Sequence, residues 1–310
     1  MSTVPFVSVI IPARNSQESI RLLLGSLAHT DYPAAMLEVL VIDNDSTDQT
    51  RKAVEEYPAV KLLEETIIRS SYAARNRGIE QARGEILAFT DADCIVTAGW
   101  ISNGVRAIAD GSADLVGGRV EFFLSAGRPA AEIFDAASHM HSEDLVATGK
   151  GAATANLFVN ADVFRRIGPF PESVRSGGDM IWTRLALTKG FRLGYAPDAV
   201  VRHPARSMRE LLRKAFRVGL GSPQIVRRDG SSPTELALGA LRSVLPGGPG
   251  SLRRRIIHHG FAITPTVFLR VWLVSYLYGL TWAAGVFIGF GSSVFRHTPP
   301  QQSETGGAEA

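Results

Sequence analysis

At 310 residues, 45% hydrophobic and 20% charged, the chain can bury a substantial core as one large domain or two small ones. Its single cysteine, Cys94, excludes an intramolecular disulfide and any multi-cysteine zinc site. Net charge is only +3, but Lys and Arg crowd into "RHPARSMRELLRKAFRVG" and "RRRIIHH" after Val201, a bias suited to phosphate-bearing substrates, anionic lipid or nucleic acid.

In chain order, "MSTVPFVSVIIPARN" has no basic region ahead of its short apolar run, so no secretory leader is expected and the bulk of the chain is expected in the cytoplasm. "VSVIIPA" reads as a strand buried on both faces. Asn15 and Glu18 have capping-box spacing ahead of Ile20, Leu23, Leu24 and Leu27, which fall at helical period. "EVLVIDND" repeats the strand. "STDQTRKAVEEY" repeats the helix, with Ser46 and Gln49 able to cap it, and "VKLLEE" is a third strand. "SYAARNRGIEQARG" predicts a helix closed by Gly84, and "EILAFT" a fourth strand. Such repetition implies a mostly parallel sheet with helices on both faces, whose ligands bind at the carboxyl ends of the strands. Asn15, "DNDSTD" and "DAD" cluster at those ends.

Beyond Asp110, "ADLVGGRVEFF" predicts a strand, "AAEIFDAASHMHSEDL" one helix, and "GKGAATANLFV" a glycine-bearing loop entering a strand. "NADVFRRIG" and "GGDMIWTRLALTKG" are short helices, the latter with Asp179 in its first turn and Gly190 just past its end. "FRLGYAPDAVVRH" is a strand ending at His203, and Ser207 with Glu210 caps a basic amphipathic helix. "SVLPGGPGS" is a breaker-rich linker. "VWLVSYLYGLTWAAGVFIGF" carries no charge over a length sufficient to span a bilayer. Its terminal aromatics and the upstream "RRRIIHH" fit membrane attachment, spanning or in-plane, against the alternative of a buried helix pair. Residues 298–310 are polar and expected to be disordered.

"VSVIIPARN", "VIDNDSTDQT", "AARNRGIEQARGEILAFTDAD", "ANLFVNADVFRRIGPF" and "GGDMIWTRLALTKGFRLGYAPDAVVRH" fall in the order and at about the spacing of the family 2 glycosyltransferases, which the chain resembles over roughly residues 5–220. The resemblance implies an α/β GT-A fold, a Rossmann-like mixed sheet with mostly parallel strands, followed by a C-terminal hydrophobic helix region. It divides the chain into a domain at 1–220, with a nucleotide-sugar half at 1–115 and an acceptor half at 116–220, and membrane-associated helices at 221–297.

By the same resemblance Asp91 and Asp93 form the DXD motif, and alternate carboxylates past a strand suit Mn²⁺ or Mg²⁺ bridging a nucleotide diphosphate. His203 matches a histidine that completes the metal set. Pro12, Ala13, Asn15, Asp43, Asn44 and Ala92 are expected on the nucleotide-sugar side, with Arg75 near the diphosphate or orienting the aspartates. Asp179 is the expected catalytic base of an inverting transfer. The family pattern there is Glu-Asp, and this chain has Gly178-Asp179. Trp182, one turn on, is either an aromatic platform or core. "QIVRR" lacks the tryptophan of the processive QxxRW motif, so transfer of single sugars is expected.

The combined expectation is metal-dependent transfer from a UDP-linked sugar to a lipid-linked or cell-surface glycan precursor, at the cytoplasmic face of the membrane. Two rivals stay open. A sugar nucleotidyltransferase would carry a GxGxR loop where this chain has "IPARNSQ", and a non-catalytic nucleotide-sugar or carbohydrate binder would explain the missing glutamate. Nucleic acid is not an expected partner, since no aromatic platform is interleaved with the basic residues.

Overall fold

The computed structural model describes residues 4–109, 111–174 and 176–294. The first half alternates as expected: β1 (Val7–Ala13), α1 (Gln17–Leu27), β2 (Leu37–Asp43), α2 (Thr50–Glu55), β3 (Val60–Glu64), α3 (Ser71–Gln81) and β4 (Ile86–Thr90). There follow β5 (Ile95–Val96), α4 (Trp100–Ala109), β6 (Leu115–Phe123), α5 (Ala130–Ala136), α6 (Ser142–Ala147), β7 (Asn156–Asn160), α7 (Ala161–Ile167), α8 (Gly178–Thr188) and β8 (Leu193–Pro204). The C-terminal helices are α9 (Met208–Asp229), α10 (Pro233–Arg242), α11 (Pro249–His258) and α12 (Pro265–Val294). The expected disordered tail lies outside the described residues.

One sheet runs in the order β3-β2-β1-β4-β7-β6-β8-β5. β1 pairs in parallel with β2 and β4, β2 with β3, and β6 with β8. β7 is antiparallel to both β4 and β6, and β5 to β8. This direction change places the site. Thr90 at the end of β4 faces Asn156 at the start of β7, so the loop entering β7 arrives at the edge where β4 ends. Because β6 and β8 then run with β4, His203 returns to that same edge.

Side chains alternate across the sheet. Val9, Ile11 and Val41 pack with Ile20 and Leu23 of α1, Ala53 of α2 and Ile101 of α4. Ile10, Leu40 and Ile42 pack on the other face with Ala74 of α3, Phe164 of α7 and Trp182 of α8. Trp182 is a core residue: it is 1% exposed, stacks on Phe164 at 4.1 Å and donates its Nε1–H to the Gly168 carbonyl at 2.8 Å. Burying an aromatic of this size contributes about 2–3 kcal/mol.

Several local expectations are corrected. Asn15 does not cap α1, whose first-turn position is held by Ser16; it adopts φ 50°, and its Oδ1 accepts the Thr47 N–H at 2.8 Å. Ser46 likewise caps nothing, since its Oγ accepts the Asn15 N–H at 3.0 Å while Asp48 Oδ1 takes the Thr50 N–H at 3.0 Å. Both polar side chains bond across loops, which outweighs the local cap. α3 ends at Gln81, and Gly84 has a different role: a Cβ there would sit 2.5 Å from the Ser8 backbone nitrogen. The single helix expected at residues 130–145 is two, α5 and α6, broken where Met140 takes φ 57°. The Ser207–Glu210 capping box forms as expected.

Leu211 of α9 packs with Phe134 of α5, Ile256 of α11 and Val271 and Val274 of α12. α9 and α12 then approach backbone to backbone. A Cβ on Gly219 would lie 2.1 Å from the Trp282 carbonyl, and one on Gly285 would lie 2.5 Å from the Phe216 carbonyl.

Candidate active site

A cleft of about 360 Å³ opens at the shared edge, lined by Pro12, Arg75, Asp91, Ala92, Asp93, Thr154, Asp179 and His203, with Tyr72, Arg206, Lys214 and Arg217 around them. The expected aspartates, histidine and Arg75 thus meet in one place.

The two carboxylates of the DAD turn have different partners. Asp91 Oδ1 accepts from Arg75 Nη2 at 2.5 Å, and Arg75 is only 4% exposed, so α3 supplies the counter-charge. Arg75 Nε is buried without a hydrogen-bond partner. Asp93 instead faces His203, with Nε2 3.6 Å from Oδ1. His203 is 1% exposed and its Nδ1 lies 2.7 Å from the Pro204 carbonyl. An Nδ1–H donated to that carbonyl leaves the Nε2 lone pair free to accept, with Arg206 Nη2 3.5 Å and Asp93 Oδ1 3.6 Å away, the tautomer a metal-ligating histidine needs. Crowding by the cleft walls raises the Asp93 pKa above the ordinary carboxylate value; His203 and Arg206 oppose the shift and Asp91 adds to it. Cys94 completes a set with Asp93 and His203 whose ligand atoms lie within 4.8 Å of one another. Its thiol pKa is pushed well up, by burial first and then by the neighbouring aspartates, which keeps it a neutral, soft group. Within that set the donors left for a divalent ion are Asp93 and His203.

Asp179 lies in the first turn of α8, after Gly177 at φ 77°. Its Oδ1 accepts from Tyr72 Oη at 3.2 Å and the Met180 N–H at 3.0 Å; its Oδ2 accepts the Thr154 N–H at 3.2 Å. Tyr72 Oη also accepts the Gly178 N–H at 2.9 Å, and burial pushes its phenol pKa up, with Asp179 adding.

The remaining expected nucleotide residues, Ala13, Asn15, Asp43 and Asn44, are not among those that line the cleft. Ala13 is buried, and its carbonyl accepts the Asn44 N–H at 2.8 Å. Asn44 spends its amide nitrogen on the carbonyls of Glu65 and Ile68, at 2.8 and 2.9 Å, which leaves only Oδ1 for a base edge. Asp43 is fully buried; Oδ2 takes Arg51 Nε at 2.8 Å, and Oδ1 has no partner. Asn15 fastens the β1 loop to the β2 loop.

Sequence reasoning missed Tyr72, Thr154, Arg206 and Lys214. Tyr72 stands three residues before Arg75 on α3, a spacing that puts both on one helix face. Arg206 follows His203 by three residues, but no local pattern places Lys214. Arg206 and Lys214 connect to a buried network. Asp135 of α5, fully buried, accepts from Arg206 Nη1 at 3.1 Å and pairs with Lys214 at 3.7 Å and His139 at 2.7 Å. Burial pushes its carboxyl up, but the hydrogen bond from His139 and the charges of Lys214 and Arg206 outweigh that and hold it well below the usual range. His139 Nε2 in turn meets Tyr278 Oη of α12 at 3.2 Å.

The profile of the family described as "Glycosyl transferase family 2" matches residues 8–134. Glycosyltransferase AglE of Haloferax volcanii is 41% identical over 291 residues, covering 92% of this chain and 96% of that protein. The Escherichia coli enzyme named UDP-Glc:alpha-D-GlcNAc-diphosphoundecaprenol beta-1,3-glucosyltransferase WfgD is 36% identical over 99 residues, 31% of this chain and 37% of its own length. Among solved structures, the mannosyltransferase PcManGT of Pyrobaculum calidifontis, in complex with GDP-Man and Mn²⁺, superposes with a TM-score of 0.57 at 22% identity, covering 96% of this chain and 78% of that one. The chain belongs to glycosyl transferase family 2, as a nucleotide-sugar-dependent glycosyltransferase of GT-A fold.

Proposed function

We propose that the protein is a metal-dependent, inverting glycosyltransferase that takes a UDP-linked sugar and adds it to a lipid-linked or cell-surface glycan precursor at the cytoplasmic face of a membrane. The observation that carries this reading is the convergence of Asp91, Asp93, His203 and Asp179 on one cleft.

Asp93 and His203 would hold Mn²⁺ or Mg²⁺, which when bound neutralises charge on the departing nucleotide diphosphate. Asp91 stays on Arg75, whose unpartnered Nε–H is a donor left for the donor substrate. Asp179 accepts the proton of the attacking acceptor hydroxyl, while Tyr72 and Thr154 fix its carboxylate. The glutamate missing at position 178 has a structural counterpart, because Tyr72 fills its place: a Cβ on Gly178 would lie 2.9 Å from the Tyr72 ring. Two similar proteins carry UDP and GDP in their names, so the uridine assignment rests on the sequence resemblance. The lipid-linked acceptor draws on the diphosphoundecaprenol in the name of the Escherichia coli relative.

Membrane attachment is assigned to α12, long and apolar enough to cross a bilayer over Pro265–Gly291. Because α9 is fastened along α12 and carries Arg209, Arg213 and Arg217, a spanning α12 would drag these charges into hydrocarbon. In-plane attachment avoids that cost and uses the exposed Leu269, Leu273, Leu277, Phe287 and Ile288.

The test is a panel of nucleotide sugars scored by thermal stabilisation with Mn²⁺ and with EDTA. A UDP-sugar that stabilises only with metal supports the reading; stabilisation indifferent to EDTA overturns its metal part, and preference for another nucleotide overturns its uridine part.

A further inference from the structure

We propose that a cationic groove along α9 is a second anion subsite, which holds the phosphate of a lipid-linked acceptor. The groove, about 350 Å³, runs from Asp93 over Pro204 and Ala205 to Arg206, Arg213, Lys214 and Arg217. Asp93, Arg206, Lys214 and Arg217 also line the transfer cleft, so the two spaces are continuous. This rests on reading that cleft as the place where a sugar is passed to a lipid-linked glycan.

The charge in the groove exceeds what the fold neutralises. Glu210 is spent on its capping box, its Oε2 accepting from Ser207 N–H at 2.9 Å and Ser207 Oγ at 2.6 Å. Asp135 is shared among Arg206, Lys214 and His139. Arg213 and Arg217 are exposed and make no salt bridge among the described residues. Lys214 feels the surplus: burial first, and then Arg206, bring its pKa down to about 7. A phosphate in the groove would accept from these cations and relieve their mutual repulsion.

Position separates this subsite from the donor's. Arg213 lines only the groove, and Asp91 and Arg75 line only the cleft. The opposite face of α9, through Leu211 and Gly219, packs on α12. Groove and membrane-facing helix are thus two sides of one helix, about 10 Å across. A phosphate at headgroup level can sit in the groove while the glycan it carries extends toward Asp179.

The experiment titrates the full chain with hexyl phosphate, alone and with UDP and Mn²⁺ saturating, using hexanol as the uncharged control. Hexyl phosphate should bind with the donor site filled, and hexanol should not. Arg213→Gln should weaken hexyl phosphate about tenfold and Arg213→Glu should abolish it, both keeping UDP affinity. Arg209→Gln, on an exposed side chain outside the groove, should change neither. Loss of hexyl phosphate binding on UDP saturation would make the groove part of the donor site and overturn the proposal. So would an affinity indifferent to both Arg213 variants, or no binding to the wild type. Failure of UDP itself to bind is a separate result, against the reading of the cleft.

Discussion

The Tyr72 ring occupies the space that a side chain at Gly178 would need, and the two residues are joined by a hydrogen bond from the Gly178 N–H to Tyr72 Oη at 2.9 Å. The same hydroxyl donates to Asp179, so α3 and α8 are coupled through a single oxygen. Tyr72→Phe keeps the packing and removes both bonds. Transfer should fall about tenfold in kcat, as expected for one hydrogen bond to a charged group, with KM for the donor unchanged. Gly178→Glu should cost more, because it must displace the ring as well. Equal kcat in Tyr72→Phe and wild type would remove Tyr72 from the positioning of Asp179.

Asp179→Asn tests the base directly. Asparagine keeps the shape but can accept from only one of Tyr72 Oη and the Thr154 N–H, which bond opposite carboxylate oxygens, and it does not take up the acceptor proton. Transfer should drop by about 10² to 10⁴ while nucleotide affinity is kept. A helix-terminus role alone predicts almost no loss, since asparagine is tolerated there. The product gives an independent check: a single displacement on an α-linked donor yields a β-linked product, and an α-linked product would exclude inversion.

Much of this site could be read in the sequence, because strand ends in a parallel sheet converge whatever the loops do. Asp91, Asp93 and His203 were legible as the residues just past, or at the end of, strong apolar runs. What could not be read was which partner each carboxylate takes. Arg75 on Asp91 and His203 on Asp93 are tertiary pairings, and alternation in a strand carries no information on direction, so the antiparallel β7 that brings Thr154 to Asp179 was invisible. The caps expected of Asn15 and Ser46 failed for the same reason: a loop from elsewhere offered each a better partner.

The metal assignment predicts unequal losses within the DXD motif. Asp93→Ala should abolish metal-dependent UDP binding, and His203→Ala should weaken the response to Mn²⁺ by about 10- to 100-fold or more, since imidazole Nε2 is the ligand that faces Asp93. Asp91→Asn should act differently, freeing Arg75 and shifting donor affinity at every metal concentration. Calorimetric titration of UDP at several Mn²⁺ concentrations separates the two patterns. Identical metal dependence in all three variants would count against Asp93 and His203 as the metal-binding pair.

Asp135 makes a prediction about stability and pH. Removing its charge with Asp135→Asn leaves Arg206, Lys214 and His139 facing one another in a buried place, and should cost about 3 kcal/mol at pH 7. Its folded pKa lies below the unfolded one, so the stabilisation is complete above about pH 4 and is lost as the pH falls toward the folded value. Urea denaturation of wild type and variant should therefore show a gap that narrows below about pH 4. A gap independent of pH would mean that the carboxylate contributes by shape alone.

The attachment of α12 is best tested without removing it. Cutting the chain near Ser251 would strip Val271 and Val274 from the cluster they form with Phe134, Leu211 and Ile256, so loss of activity could follow from loss of structure. Leu269, Leu273 and Leu277 are 60%, 51% and 37% exposed and recur every four residues, which places them on one stripe of the helix away from α9. Replacing all three by Ser removes apolar surface from that stripe and leaves the buried face intact. Each leucine inserted into a membrane interface contributes on the order of 1 kcal/mol or more, so the triple variant should partition into vesicles at least a hundredfold more weakly. Its melting temperature and its transfer to a soluble acceptor analogue should stay near wild type, because none of these side chains belongs to a buried core cluster or lines the cleft. If α12 instead crosses the bilayer, the remaining apolar residues still span it, and the triple variant will stay in the membrane fraction after a carbonate wash. If the stripe is covered by another copy of the chain, the variant will change its sedimentation coefficient in solution with no lipid present. In-plane attachment predicts release from vesicles and an unchanged sedimentation coefficient, a combination that neither alternative produces.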